Sequence, residues 1–257
     1  MNIEHGFLRA LQVLRRHRHA PQCHPHEIFQ LSTINAVLEG VYDGDMSYGQ
    51  LKRHGDFGIG TFNALDGEMI AFDGRYWQIR GDGRANTVPD DALTPFATVL
   101  FFFPKIEEDV VGPIDLDALK RLIDSKVSSD NLFCAVRIDG TFASVHTRSI
   151  SRQSKPYPPL VEVTRNQPEF DFADVEGTIV GFRFPDFAAG MNVPGYHLHF
   201  LTRDAQGGGH LLAMELKRGR IAIDEESEFH IELPTDPDFL VSDLAGDHRA
   251  DLKQAEE

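Results

Sequence analysis

The stretch from Gly195 to Leu216, GYHLHFLTRDAQGGGHLLAMEL, constrains this chain more than any other. Alternating residues on either side of a turn that ends in three glycines describe two antiparallel strands joined by a sharp reversal. Successive side chains of a strand point to opposite faces, so His197 and His199 share one face while Tyr196, Leu198 and Phe200 share the other. The glycines bring His210 back on the neighbouring strand. Three neutral imidazoles on one concave face are the ligand set of a catalytic zinc site, which leaves open positions for water or substrate. Twelve histidines are present, and an isolated one such as His5, His54, His230 or His248 is ordinarily solvated or hydrogen-bonded. The pair His24 and His26 flanks a proline that prevents strand geometry, so it is not read as a ligand pair.

The rest of the chain repeats the strand-and-turn pattern. Asp56 to Ile79 is broken by Asp66-Gly67 and Asp73-Gly74, both strong hairpin signals. Ala97 to Phe103 reads as a buried strand, and Leu132 to Ile138 with Thr141 to Ile150 reads as a hairpin around Asp139-Gly140. Gly177 to Phe184, His210 to Leu216 and Ala222 to Leu233 add further strands. Helices are expected over residues 4 to 18, after the Ser32-Thr33 cap, after Ser47, and over Asp115 to Lys126, where Leu116, Leu119, Leu122 and Ile123 share a face.

The expected fold is therefore α+β, with two sheet-containing sub-domains, a mixed β-sheet and a smaller β-barrel-like sheet, and short helices. The connection Ser151 to Gln167 carries three prolines and little periodicity. It divides the chain into an N-terminal extension (1–27), an N-terminal α+β sub-domain (28–155) and a C-terminal β-rich metal-binding sub-domain (156–257). Exposed sheet edges lead to the expectation of a homodimer.

Charge and composition narrow the partners. The 25 Lys+Arg against 40 Asp+Glu give a net charge of −15, which argues against nucleic acid and against an anionic membrane surface. The longest apolar run, ATVLFFF, is too short to span a bilayer. The N-terminus has its basic residues after its apolar ones, the reverse of a secretory signal, so a cytoplasmic location is expected. Two cysteines, Cys23 and Cys134, cannot build a disulfide framework.

Acid–base candidates are Glu68, which follows a turn as His210 does, and Glu215 on the returning strand. A solvated strand residue is the competing reading for both. Arg148, in SVHTRSI, shares a face with His146 and Ile150. A guanidinium there suits carboxylate recognition, or it makes an exposed cross-strand pair.

At these residues the sequence resembles the α-acetolactate decarboxylase family. The resemblance rests on FQLSTINAVLEGVYDGD (29–45), HGDFGIGTFNALDGEMI (54–70), TPFA (94–97), PYPPL (156–160) and EGTIVGFRFPDFAAGMNVPGYHLHFLTRDAQGGGH (176–210). It implies metal-dependent decarboxylation of 2-acetolactate to acetoin and CO2 through a metal-stabilised enediolate, in acetoin biosynthesis, on a homodimer. It also implies zinc, or another divalent transition metal, held by His197, His199 and His210, with Glu68 and Arg148 beside the ion and Thr61 lining the pocket. A glutamate near the C-terminus is implied to fold back to the metal, matched by Glu256 with Glu257 next to it. Residues 224–257 hold twelve Asp+Glu against two Lys+Arg, so this return takes one carboxylate out of an otherwise solvated acidic tail. The sequence departs from the family pattern at His146, commonly lysine, and at Ser151, commonly proline.

Two rival readings stay open at this point. A cupin-like metal module, either an oxygenase or a small-ligand binding protein, also uses H-x-H and a later histidine, but commonly adds a carboxylate that residues 200–203 (FLTR) do not supply. A structural zinc site would need a closed four-ligand shell.

Overall fold

A computed structural model of the chain describes residues 26–246 and 248–256. The helix expected over 4–18, Cys23 and Glu257 lie outside the described residues.

β1 (Glu27–Leu31) is followed by α1 (Ile34–Leu38), capped by Thr33, whose hydroxyl accepts from Ala36 N. β2 (Met46–Ser47) leads into α2 (Tyr48–Leu51), which begins in a capping box between Ser47 and Gln50. A meander then runs through β3 (Phe57–Thr61), β4 (Glu68–Phe72), β5 (Arg75–Ile79) and β6 (Ala85–Thr87), followed by β7 (Leu93–Thr94) and β8 (Ala97–Leu100). β9 (Ile106–Asp115) ends at Asp115, which caps α3 (Leu116–Asp124). β10 (Phe133–Arg148) and α4 (Leu160–Val163) precede three long strands: β11 (Glu169–Phe184), β12 (Gly195–Thr202) and β13 (Gly208–Glu226). The described chain closes with β14 (Glu228–Glu232), α5 (Pro237–Val241) and α6 (Arg249–Glu256).

The strands form the two expected sheets. One has seven strands in the order β14-β1-β8-β3-β4-β5-β6, mixed because β14 runs parallel to β1. The other has the order β10-β11-β12-β13-β9, with β10 also paired to β13, so four strands close on themselves and β9 lies outside. Phe142 and Phe200 meet edge-to-face inside this small barrel, with ring centroids 5.5 Å apart. The two sheets share a further core, to which Phe57, Ile70 and Ile79 come from the first and Val180, Phe182 and Leu201 from the second. Burying each such side chain is worth about 1.5–3 kcal/mol, so the sheets are held face to face.

Asp73-Gly74 forms the two-residue hairpin expected of it, with φ of 51° and 70°. Asp139-Gly140 does not turn. β10 runs straight through it, because Gly140 lies opposite Gly177 of β11 and Gly219 of β13. A Cβ there would come within 2.8 Å of Arg218 O, so the glycine answers the close approach of strands rather than a reversal. β13 likewise runs unbroken through 210–226, joining the strand expected over 210–216 to the start of the stretch 222–233, where β14 supplies a further strand. The chain passes from the first sheet to the second at residues 101–105, between β8 and β9, and returns to the first between β13 and β14.

Candidate metal centre

The alternation of β12 places His197 and His199 on one face, and the ladder sets His199 directly opposite His210 of β13. The ring centroids lie 5.0 Å apart for His197–His199 and for His197–His210, and 5.5 Å apart for His199–His210. One ligand nitrogen from each ring falls within 4.8 Å of the others. Burial, with the Arg148 charge adding to it, lowers the His197 pKa to about 3, and burial holds His199 and His210 well below the usual imidazole value. All three rings are therefore neutral at physiological pH, the form that binds metals.

The tautomer of His199 is fixed from the other sheet. Its Nδ1 lies 2.9 Å from Met69 O, a pure acceptor, so the proton is on Nδ1 and Nε2 presents a lone pair. That lone pair faces His197 Nε2 at 3.2 Å. Two ligand nitrogens on a tetrahedral ion with bonds of 2.0–2.1 Å are separated by about 3.3 Å, so the pair fits a cation. His197 Nδ1 is buried without a hydrogen-bond partner.

Each remaining candidate arrives from a different element. Arg148, at the end of β10, is opposite His210 in the ladder and thus on the same face. Glu68 opens β4, and its Oε2 is 3.6 Å from His199 Nε2. Glu256 ends α6, with Oε2 3.8 Å from His210 Nε2, while Arg148 Nη2 donates to the carbonyl of Ala255. Glu68, Arg148, His199 and His210 are at most 7% exposed. Burial dominates the Glu68 carboxyl and raises its pKa to about 8, with the charge of Arg148 opposing and that of Glu256 adding. Burial likewise raises Glu256 to about 7, again against Arg148.

Thr61 stands opposite Glu68 in the β3–β4 ladder, and its hydroxyl donates to Gly67 O at 2.8 Å. This bond closes a loop in which Ala64 and Leu65 both take left-handed φ, 61° and 50°. Glu215 lies exposed on β13 opposite Ser144, so the solvated reading describes it. The carbonyls of Met69 and Ala255 were not anticipated, since backbone groups carry no residue signature.

Three imidazoles, two carboxyls and one guanidinium thus come together at one place in the fold. The family profile described as alpha-acetolactate decarboxylase matches residues 28–246. The alpha-acetolactate decarboxylase of Methylococcus capsulatus is 48% identical over 252 residues, covering 96% of this chain and 97% of that protein. That of Klebsiella aerogenes is 46% identical over 86% of this chain and 85% of its own. The crystal structure of alpha-acetolactate decarboxylase from Bacillus subtilis strain 168 superposes with a TM-score of 0.88 at 40% identity, covering 90% of this chain and 99% of that one. Fold, site and relatives together define a carboxy-lyase. The chain belongs to the alpha-acetolactate decarboxylase family.

Proposed function

We propose that the protein converts 2-acetolactate to acetoin and CO2, with His197, His199 and His210 holding a divalent ion, zinc in this reading. The observation that carries the metal assignment is the His199 Nε2 lone pair facing His197 Nε2 at 3.2 Å, with its Nδ1 proton on Met69 O. Bound there, the ion supplies Lewis acidity to the oxygens of the substrate and draws charge from the breaking bond.

The chain's own residues supply the rest. Arg148 pairs with the substrate carboxylate, orienting the C–C bond that breaks. When CO2 departs, the electron pair of that bond passes into the neighbouring carbonyl, leaving an enediolate that needs one proton on carbon. Glu68, whose Oε2 lies beside His199, would deliver that proton to one face, which fixes the configuration of acetoin. Glu256 covers the site from α6 as a second carboxyl beside His210, and this return is the role given to the acidic tail. Thr61 lines the pocket beside Glu68 through the loop that its hydroxyl closes.

Metal analysis of the purified protein, with CO2 and acetoin assays on racemic acetolactate, tests this reading. One zinc per chain and anaerobic CO2 release are expected. Full activity after chelator treatment would refute the metal role, and oxygen consumption would favour a cupin-like oxygenase instead. No helix among the described residues is long and apolar enough to cross a membrane. A cytoplasmic homodimer is the proposed state, to be checked by light scattering and cell fractionation.

A further inference from the structure

Arg148 is held by neutral oxygens. With its amide oxygen turned to the guanidinium, Gln167 accepts from Arg148 Nε at 3.2 Å and from Nη1 at 2.9 Å. The carbonyl of Ala255 accepts from Nη2. Glu169 is opposite Arg148 in the β10–β11 ladder, yet its carboxylate is turned to His146 Nε2, 3.2 Å away. Gln167 itself is fixed close by, because Ser149 N donates to the carbonyl of Pro168 at 3.0 Å.

An arginine has five N–H donors and cannot lose its charge at working pH. Three of them go to Gln167 and Ala255, and each terminal nitrogen keeps one further N–H beyond these bonds. A glutamate at position 167 would accept the same bonds but would neutralise the cation and compete with an anionic ligand. A neutral amide orients the fork without doing so.

We infer that Gln167 is the positioning residue for Arg148, a neutral clamp that aims the guanidinium and preserves its charge for the substrate carboxylate. The inference rests on the reading of Arg148 as the carboxylate-binding group. Gln167 touches neither the histidines nor the acid–base pair in the observed contacts, so it acts through Arg148 alone.

The test uses the metal-loaded protein and the variants Gln167→Glu, Gln167→Met and Arg148→Lys. Affinity is measured for 2-hydroxy-2-methylpropanoate and for its uncharged amide, alongside KM and kcat for acetolactate, metal content and Tm. Charge-assisted hydrogen bonds are worth about 1.5–3 kcal/mol, so Gln167→Glu is expected to weaken carboxylate binding and raise KM by roughly tenfold or more. Amide binding, metal content and Tm are expected to stay near those of the parent. Gln167→Met is expected to show a smaller loss in the same direction, and it serves if the glutamate variant does not fold. Unchanged carboxylate affinity in both Gln167 variants, with a loss in Arg148→Lys, would overturn the inference and leave the reading of Arg148 standing. Unchanged affinity in Arg148→Lys as well would overturn both.

Discussion

His199 of β12 donates from Nδ1 to the carbonyl oxygen of Met69 in β4, 2.9 Å away across the seam between the two sheets. The backbone of one sheet therefore sets the tautomer of an imidazole in the other. A group of this kind behind a metal ligand typically changes affinity by about 10–100-fold, and loss of the ligand itself does more. His199→Ala is expected to lose its bound metal and CO2 release together, read by metal analysis beside the decarboxylation assay. Retained metal at parent stoichiometry would count against the assignment.

Glu68→Gln keeps the size and hydrogen-bonding shape of the side chain but removes its transferable proton. Metal content should be unchanged, while the rate should fall by about 10²–10⁴-fold, the usual contribution of a positioned acid. Chiral chromatography of the product should show acetoin of lower enantiomeric purity, since protonation would then come from solvent on either face. Full rate with full stereospecificity would sink the role.

Truncation after Gln254 removes both the Ala255 carbonyl that holds Arg148 Nη2 and the Glu256 carboxyl near His210. A fall in kcat/KM of at least about tenfold is expected, given that one charge-assisted bond and one buried carboxyl are lost. The circular dichroism spectrum should remain that of the parent, because the truncation leaves both sheets complete. Unchanged kinetics would reduce the tail to a cover.

Phe142 and Phe200 pack edge-to-face in the barrel and are fully buried. Phe142→Ala leaves a cavity there and should cost about 3–5 kcal/mol in urea unfolding. The spacing of the histidines on β12 and β13 is set by their ladder, so the folded fraction should still bind metal.

The Asp224 carboxyl is buried, with Oδ2 accepting from Phe103 N at 2.7 Å. Burial raises its pKa from 3.8 to about 6, and the neighbouring Glu226 adds to this while Phe103 N and the Lys105 ammonium oppose it. A folded-state pKa above the unfolded one stabilises below about pH 4, and that contribution is lost as pH rises through about 6. Asp224→Asn should remove this dependence and leave the variant more stable than the parent at pH 8 by on the order of 1 kcal/mol. Urea midpoints at pH 5 and pH 8 measure it, and a parent-like slope in the variant would contradict it.

The parts of this fold that were legible in the sequence are those with local causes. Thr33, Ser47 and Asp115 cap the helices that follow them, and Asp73-Gly74 turns because both residues accept left-handed φ. The three histidines were legible for the same reason, since period-two alternation and a glycine turn fix their face before any tertiary contact forms. Asp139-Gly140 misled because its glycine serves neighbours distant in sequence, Gly177 and Gly219. The change of sheet at 101–105 hides in a run of phenylalanines that reads as one strand. Arg148 and Glu68 meet the histidines only through the ladder with β13 and the packing of β4 on β12, and the return of Glu256 was implied by family resemblance alone.

The parallel pairing of Glu27–Leu31 with Glu228–Glu232 makes the first sheet depend on a strand synthesised about 200 residues later. Ile28, Phe29 and Leu31 are almost wholly buried in the finished protein, yet at a translation speed of about 5–20 residues per second their outer edge waits many seconds for its partner. An unpaired apolar edge is a template for joining other chains. The exposure of this edge thus belongs to the interval between the synthesis of β1 and that of β14, and it ends once the two strands pair.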